Sequence, residues 1–221
     1  MVKRCFDLSF ASLTLCMVWP LILVLMALSM LQFGTPLYFQ QRIGKNGRIF
    51  TCFKIRTMPH NAEQALQTIM QHNEALRDEW HLNFRLQNDP RVSRFNHWVR
   101  YTGLDELPQL VNIILGDMSV VGPRPITQCE IPLYGRYFRN YALVRPGLTG
   151  LWQLNKETTQ QYRKRTAWDV LYTRRRNFWF DLRIIWLTSK LTIAKVTRLH
   201  VARNPHQKLG LRNTHANLNQ V

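Results

Sequence analysis

Leu13-Thr14-Leu15-Cys16-Met17-Val18-Trp19-Pro20-Leu21-Ile22-Leu23-Val24-Leu25 lies inside a run, Leu8 to Gln41, that carries no charged side chain. Its core, Leu13 to Phe33, is apolar enough to cross a bilayer, which takes about 20 residues of helix. A signal peptide does not fit. Met1-Val2-Lys3-Arg4 supplies a basic start, but the apolar run is too long and no small-x-small cleavage site follows it. A single transmembrane helix is the simplest alternative. Two features push against a full span. Pro20 removes a backbone donor and crowds the preceding turn. Basic residues flank both ends, Lys3 and Arg4 before the run and Arg42, Lys45, Arg48, Lys54 and Arg56 after it. Such flanks prefer the cytoplasmic side. If both stay there, the helix bends at Pro20 and comes back.

The rest of the chain is strongly basic. Among 221 residues, 30 Lys and Arg face 13 Asp and Glu, a net charge of +17. That excess suits an anionic partner: nucleic acid, an anionic membrane surface or a phosphorylated substrate. A solvated basic surface is the plain alternative. Cys5, Cys16, Cys52 and Cys129 are scattered, with no Cys-x-x-Cys and no metal-like histidine spacing. This speaks against a zinc site or a disulfide framework and fits a reducing compartment.

Beyond the apolar run, Pro36 to Ile43 and Ile49 to Ile55 read as strands around a Gly44-Lys45-Asn46-Gly47 turn, hence a hairpin. Asn61 to Trp80 has helical spacing at Ala62, Ala65, Leu66, Ile69 and Met70, with Asn61 as N-cap. Asn88-Asp89-Pro90-Arg91 reads as a turn. Leu107 to Leu115 reads as a helix stopped by Gly116. Tyr134 to Tyr141, Gln160 to Tyr172 and Phe178 to Val196 are further expected helices. The last mixes Trp179, Trp186 and other apolar residues with Arg183, Lys190 and Lys195. That mixture suits either a membrane interface or a core helix with a basic outer face. Asn204 to Val221 reads as a polar, disordered tail.

Chemistry concentrates around Leu104-Asp105-Glu106-Leu107-Pro108-Gln109-Leu110, where two adjacent carboxylates stand at the start of an apolar helix. Helix capping is one account, with Thr102 and Asp105 approximating a capping box. Capping needs one acid, however, not two. An ionised carboxylate near helix-start amides can attack phosphorus, and its neighbour can hold Mg2+ together with substrate phosphate. Around this pair run Arg100-Tyr101-Thr102-Gly103 and Gly116-Asp117-Met118-Ser119-Val120-Val121-Gly122-Pro123-Arg124-Pro125. Lys54-Ile55-Arg56-Thr57-Met58 and Arg145-Pro146-Gly147-Leu148-Thr149-Gly150-Leu151-Trp152-Gln153 are further blocks. Together, in this order, they resemble the bacterial sugar transferases, monotopic phosphoglycosyl transferases, over roughly Lys3 to Thr188.

The resemblance implies an α+β fold: a small catalytic domain with a short β-hairpin, an N-terminal re-entrant membrane helix broken at Pro20, and amphipathic interfacial helices. It implies segments 1–41 (membrane helix and entry to the hairpin), 42–200 (cytoplasmic catalytic domain) and 201–221 (tail). Asp105 takes the nucleophile role and Glu106 the metal-associated role, with Mg2+ as cofactor. Arg100, Arg124, Arg145, Lys54 and Asp169 become the candidates for phosphate or nucleotide binding. For Asp169 an i, i+4 ion pair with Arg165 is the structural alternative. Trp152 and Gln153 could contact a uracil ring or pack in the core. The implied substrates are a UDP-sugar and a polyprenyl phosphate, at an anionic membrane surface and without nucleic acid; a homodimer is compatible. The implied place is the cytoplasmic face of a bacterial inner membrane. This chain departs from the family at Trp19, where a serine usually precedes the proline, and at Leu154-Asn155-Lys156-Glu157, where Gly-Arg often follows. Two other readings stay open on composition: a non-catalytic, basic, membrane-anchored binding protein, and a multi-pass polyprenyl phosphate transferase. A single apolar segment argues against the second.

Overall fold

The computed structural model describes residues 2–83, 86, 88–154 and 162–203. The expected tail from Asn204 lies outside them. The first helix, α1 (Val2–Phe33), holds Pro20 and is the one described helix long and apolar enough to cross a membrane. It continues through Pro20 without an interruption. The proline removes a single donor, and Val18 and Ile22 on either side are both packed inward. Asp7, Ala11, Leu15, Val18, Ile22, Leu25 and Ser29 recur every three or four residues and form its inward stripe. Leu13, Met17, Trp19, Leu23, Val24 and Leu31 remain exposed.

Both ends of α1 hold the same body. Next come β1 (Leu37–Ile43) and β2 (Ile49–Ile55), an antiparallel hairpin in which Phe39 faces Phe53. Its turn places Asn46 at φ 59° and Gly47 at φ 73°, conformations those residues tolerate. The expected single helix over 61–80 is two, α2 (Ala62–His72) and α3 (Glu74–Asn83), because Asn73 is extended. Asn61 precedes α2 but its side chain does not cap it. Then follows α4 (Arg94–Thr102), capped by Ser93 and closed by Gly103 in the left-handed region. A 3-10 turn over Leu104–Glu106 leads into α5 (Gln109–Leu115), which ends at Gly116, φ 98°.

The second sheet has two short parallel strands, β3 (Ser119–Val121) and β4 (Gly147–Thr149). Between them lie α6 (Ile131–Tyr134) and α7 (Phe138–Ala142), so the helix expected over 134–141 is interrupted at Gly135, φ 48°. Gly122 and Gly147 cross so closely that a methyl on Gly147 would lie 2.0 Å from the Gly122 nitrogen. The chain closes with α8 (Leu151–Leu154), α9 (Tyr162–Arg175) and α10 (Phe178–Arg203).

The main core joins Ala11 of α1, Phe50 and Cys52 of β2, Leu110 and Ile113 of α5, Val120 and Val121 of β3, Tyr172 of α9 and Ile184 of α10. On α10, Ile184 and Asp181 face inward while Trp179, Trp186 and Ile193, each seven residues apart, stay exposed. Lys190 sits 3.7 Å over the Trp186 ring. The helix thus buries one side and presents an aromatic stripe on the other.

Candidate active site

Lys54 comes from β2, and Asn112 of α5 fixes that strand. The Asn112 Oδ1 accepts the Phe53 backbone N–H at 3.0 Å, and its Nδ2 donates to the Thr51 carbonyl at 2.7 Å. Strand alternation then sends Phe53 outward and aims Cys52 and Lys54 to the other face. Cys52 is fully buried, and burial pushes its thiol pKa up. Lys54 Nζ meets Glu106 Oε1 at 2.9 Å, with both side chains about one-fifth exposed.

The acidic pair is presented by a turn rather than a helix cap. Gly103, φ 81°, ends α4 and allows the reversal. The Thr102 hydroxyl donates back to the Trp98 and Val99 carbonyls, so the expected capping box with Asp105 does not form. The Glu106 and Leu107 amides bond to Gly103 and Leu104 carbonyls, and helix α5 starts two residues later than the sequence suggests. Leu104 packs with Leu25, Ile55 and Val99, which roots the turn. Asp105 is 7% exposed. Arg100, in the last turn of α4, reaches Thr57 Oγ1 at 3.4 Å, just beyond β2. Lys54, Arg100 and the acidic pair therefore converge on one strand end.

Arg124 supplies the opposite wall. It leaves β3 through Gly122-Pro123, and its guanidinium lies 5.3 Å from the Trp152 ring. A narrow cleft is lined by Glu106, Lys54, Arg124, Trp152, Arg42 and Gln109, with Cys52, Pro125, Gly147 and Leu148 completing it. Asp105 sits beside Glu106 behind this rim. Burial lowers the Arg124 pKa, and Arg165 and Arg42 lower it further, while Glu130 and Glu106 oppose them. Arg42 donates to the Pro125 carbonyl at 2.9 Å and to Gln40 at 2.5 Å. The Nε atoms of Arg42, Arg124 and Arg165 are buried without a hydrogen-bond partner. Buried donors in that state favour an incoming anion, because unmet burial costs about 1–3 kcal/mol per group. Trp152 packs on Arg124 rather than standing open as a stacking platform.

Asp169 is buried beneath Arg124. Its Oδ2 accepts from the Tyr134 hydroxyl at 2.6 Å. Burial pushes its carboxyl up to about 7, against the Tyr134 hydrogen bond, Arg165 and the Arg124 amide, which favour the ionised form. Arg165 stacks 3.9 Å over Tyr162 and closes no ion pair with Asp169. Arg145 is engaged at the end of α5, where its Nε donates to the Gly116 carbonyl at 2.6 Å. The structure thus gathers Lys54, Glu106 and Arg124 on one cleft. Asp105 adjoins Glu106 in the turn and Arg100 reaches Thr57, neither lining the cleft, while Asp169 contacts the Arg124 backbone and Arg145 sits at a helix terminus.

Sequence reasoning passed over Arg42, Arg165 and Asn112 as site-building residues. Asn112 alone had left a signal, a polar side chain inside Leu110-Val111-Asn112-Ile113-Ile114.

Residues 1–195 match the bacterial sugar transferase family. The chain belongs to that family. Within it, the chain is 37% identical over 187 residues to the UDP-galactose-lipid carrier transferase of Erwinia amylovora, covering 85% of this chain and 39% of that protein. It is 36% identical to the undecaprenyl-phosphate galactose phosphotransferase of Salmonella typhimurium, covering 88% and 41%. It is 42% identical to the exopolysaccharide production protein ExoY of Rhizobium meliloti, covering 85% and 84%. The chain thus spans about two-fifths of the first two relatives and most of the third. The resemblance noted above implies Mg2+ as cofactor, so the donor set matters. Among the described residues no three His, Cys, Asp or Glu side chains cluster to hold a metal. Asp105 and Glu106 alone fit Mg2+ only where substrate phosphate and water complete its shell, which is the coordination Mg2+ prefers.

Proposed function

We propose that this sugar transferase moves a sugar-1-phosphate from a UDP-sugar to a polyprenyl phosphate, releasing UMP. The observation that carries the reading is the gathering of Lys54, Glu106 and Arg124 on one cleft, with Asp105 next to Glu106 in the same turn, Arg100 at the end of the preceding helix, and the buried Nε atoms of Arg42 and Arg124 left unpaired. The family and the activities for which its relatives are named support the same reaction class. In the first step an Asp105 carboxylate oxygen attacks the sugar-bearing phosphorus. The bond to the bridging oxygen breaks, and UMP leaves with that electron pair. An oxygen of the polyprenyl phosphate then attacks the same phosphorus, returning the Asp105 carboxylate and forming the lipid diphosphosugar. Arg100 and Arg124 bind phosphate oxygens, for which guanidinium forks are suited. Lys54 holds Glu106 and adds positive charge beside the departing phosphate. Asp169 supports the Arg124 backbone from below. Mg2+, when bound at the acidic pair, would neutralise diphosphate charge and ease departure of UMP. The product begins a surface polysaccharide or glycoconjugate.

The membrane reading is re-entrant, with the catalytic domain on the cytoplasmic face. Its support is that both ends of α1 grip one body. Lys3, Arg4 and Asp7 bond to β3, α5 and α10, while Ser29 donates to the Arg56 carbonyl at 2.7 Å and Gln32 accepts from Asn96 at 2.8 Å. A helix crossing to the far side would separate those ends. Pro20, lacking a donor, is where the helix, continuous over Val2–Phe33, would yield to a bend in the membrane. UDP-sugars and the acceptor headgroup meet at that surface.

The test is chemical. Incubation with a UDP-sugar and Mg2+ but no lipid should add one phosphosugar mass at Asp105. Asp105→Asn should abolish both adduct and transfer, and Glu106→Gln should leave a weak residue of activity. Rapid-quench mass spectra without an adduct, together with sequential rather than ping-pong kinetics, would remove the covalent route. Wild-type turnover by purified Asp105→Asn would remove the assignment of the nucleophile.

A further inference from the structure

The first turn of α1 is bonded to β3 by side chains, and β3 runs straight into the arginine loop. Asp7, 1% exposed, accepts from the Ser119 hydroxyl at 2.8 Å and from the Val120 N–H at 3.1 Å. Lys3 Nζ donates toward the Val121 carbonyl at 3.2 Å, the Tyr172 hydroxyl at 3.3 Å and Asp181 Oδ2 at 2.5 Å. The Tyr172 hydroxyl itself lies 2.9 Å from the Val121 carbonyl and 2.8 Å from Asp181 Oδ1. Every residue of β3 is therefore held by a side chain from α1 or α9, with α10 behind them.

Membrane attachment alone gives no reason for this. A basic flank that only sets orientation needs no partner in the protein, whereas Lys3, its side chain 41% exposed, has three acceptors there. A buried carboxylate is unfavourable unless paired or hydrogen-bonded, and Asp7 finds its bonds on the strand that leads to Arg124. Val121 is three residues before Arg124. Gly122, between them, is pressed against Gly147 and donates its N–H to the Thr149 carbonyl at 2.9 Å. Gly122 has no slack at that crossing and only Pro123 separates it from Arg124, so where β3 sits sets where the Arg124 backbone leaves it.

We propose that Lys3 and Asp7 are positioning residues for Arg124: the seated first turn of α1 sets β3, and β3 sets the guanidinium that receives the anionic donor. The membrane helix is then part of the substrate grip as well as an anchor. The link between Arg124 and a nucleotide diphosphate rests on the transfer reading above; the mechanical link does not.

The experiment uses the full chain in lipid nanodiscs containing phosphatidylglycerol. Lys3→Met and Asp7→Asn are compared with Lys3→Arg and with the milder Ser119→Ala, which removes one Asp7 bond. Hydrogen exchange over residues 119–127 should quicken in Lys3→Met and Asp7→Asn, with residues 37–55 unchanged. The Kd for UDP should rise about ten-fold in both, a loss that Lys3→Arg partly restores. In an Arg124→Lys background, Lys3→Met should weaken UDP binding less than about two-fold further, because both changes act through one group. Unchanged exchange at 119–127, or effects on UDP binding that add fully to those of Arg124→Lys, would overturn the proposal. So would an unaltered Kd in a destabilised protein. If Lys3→Met does not fold, Ser119→Ala decides by the same exchange readout. If the wild type neither binds UDP nor transfers sugar phosphate, the transfer reading fails, and exchange at 119–127 still upholds or refutes the linkage.

Discussion

Asn112→Ala tests how the hairpin is held over the cleft. The side chain is fully buried and meets two backbone groups of β2, the Phe53 N–H and the Thr51 carbonyl. Alanine leaves both without that partner in a site packed by Phe50, Cys52, Leu110 and Ile113. At about 1–3 kcal/mol for each unsatisfied group, the expected loss is about 3 kcal/mol in all. For a chain of this size that lowers Tm by about 6–12 °C. Lys54 follows Phe53 directly, so the same change should loosen the Lys54–Glu106 contact and depress transfer even well below Tm. The assay pairs thermal unfolding in nanodiscs with sugar-phosphate transfer at 20 °C-scale temperatures, far from the transition. Asn112→Asp is the informative companion. It keeps an acceptor for Phe53 but sets a carboxylate against the Thr51 carbonyl and near Asp117. It should therefore be less stable at alkaline than at acidic pH. A Tm within about 2 °C of wild type for Asn112→Ala would refute the argument, because two buried backbone groups would then have lost their partner without penalty.

Gly147→Ala should prevent stable folding or cost about 3 kcal/mol or more, since its methyl would strike backbone at Gly122 and Thr149; near-normal yield and Tm would contradict the crossing geometry. For Asp169, the folded pKa of about 7 stands above the usual 3.8, so the folded state binds more protons between those values. Stability should fall as pH rises through that window, by an amount of order 3–4 kcal/mol, and level off above it. Denaturant titrations of Asp169→Asn should lose that slope, and a retained slope would assign it to another group. Lys54→Met should cut transfer about 100-fold while the protein stays folded, and activity within a few-fold of wild type would place the phosphate charge elsewhere.

The hairpin was legible because Pro36–Ile43 and Ile49–Ile55 bracket a glycine turn, and local chemistry decides such pairs. The acidic pair and its arginines were legible as blocks along the chain. What each arginine does was not, because that depends on contacts between distant segments. Arg145 and Arg124 look alike beside their prolines, yet Arg145 ends on the Gly116 carbonyl and Arg124 in the cleft. The β3–β4 pair left no pattern, since three-residue strands are too short to show alternation. The Asn73 break in 61–80 and the Gly135 break in 134–141 were missed because apolar spacing continues across each. The capping box failed for a related reason: Gly103 turns the chain before Thr102 can reach Asp105.

The Gly122–Gly147 crossing sets a limit on how this protein can be altered. Two segments that carry Arg124 on one side and lead into Trp152 on the other run backbone to backbone and are tightest where Gly122 meets Gly147. The contact itself behaves as a rivet. Donor preference can be redesigned by swapping what hangs from each arm, whereas any side chain placed at the rivet forces the arms apart and takes the cleft with them.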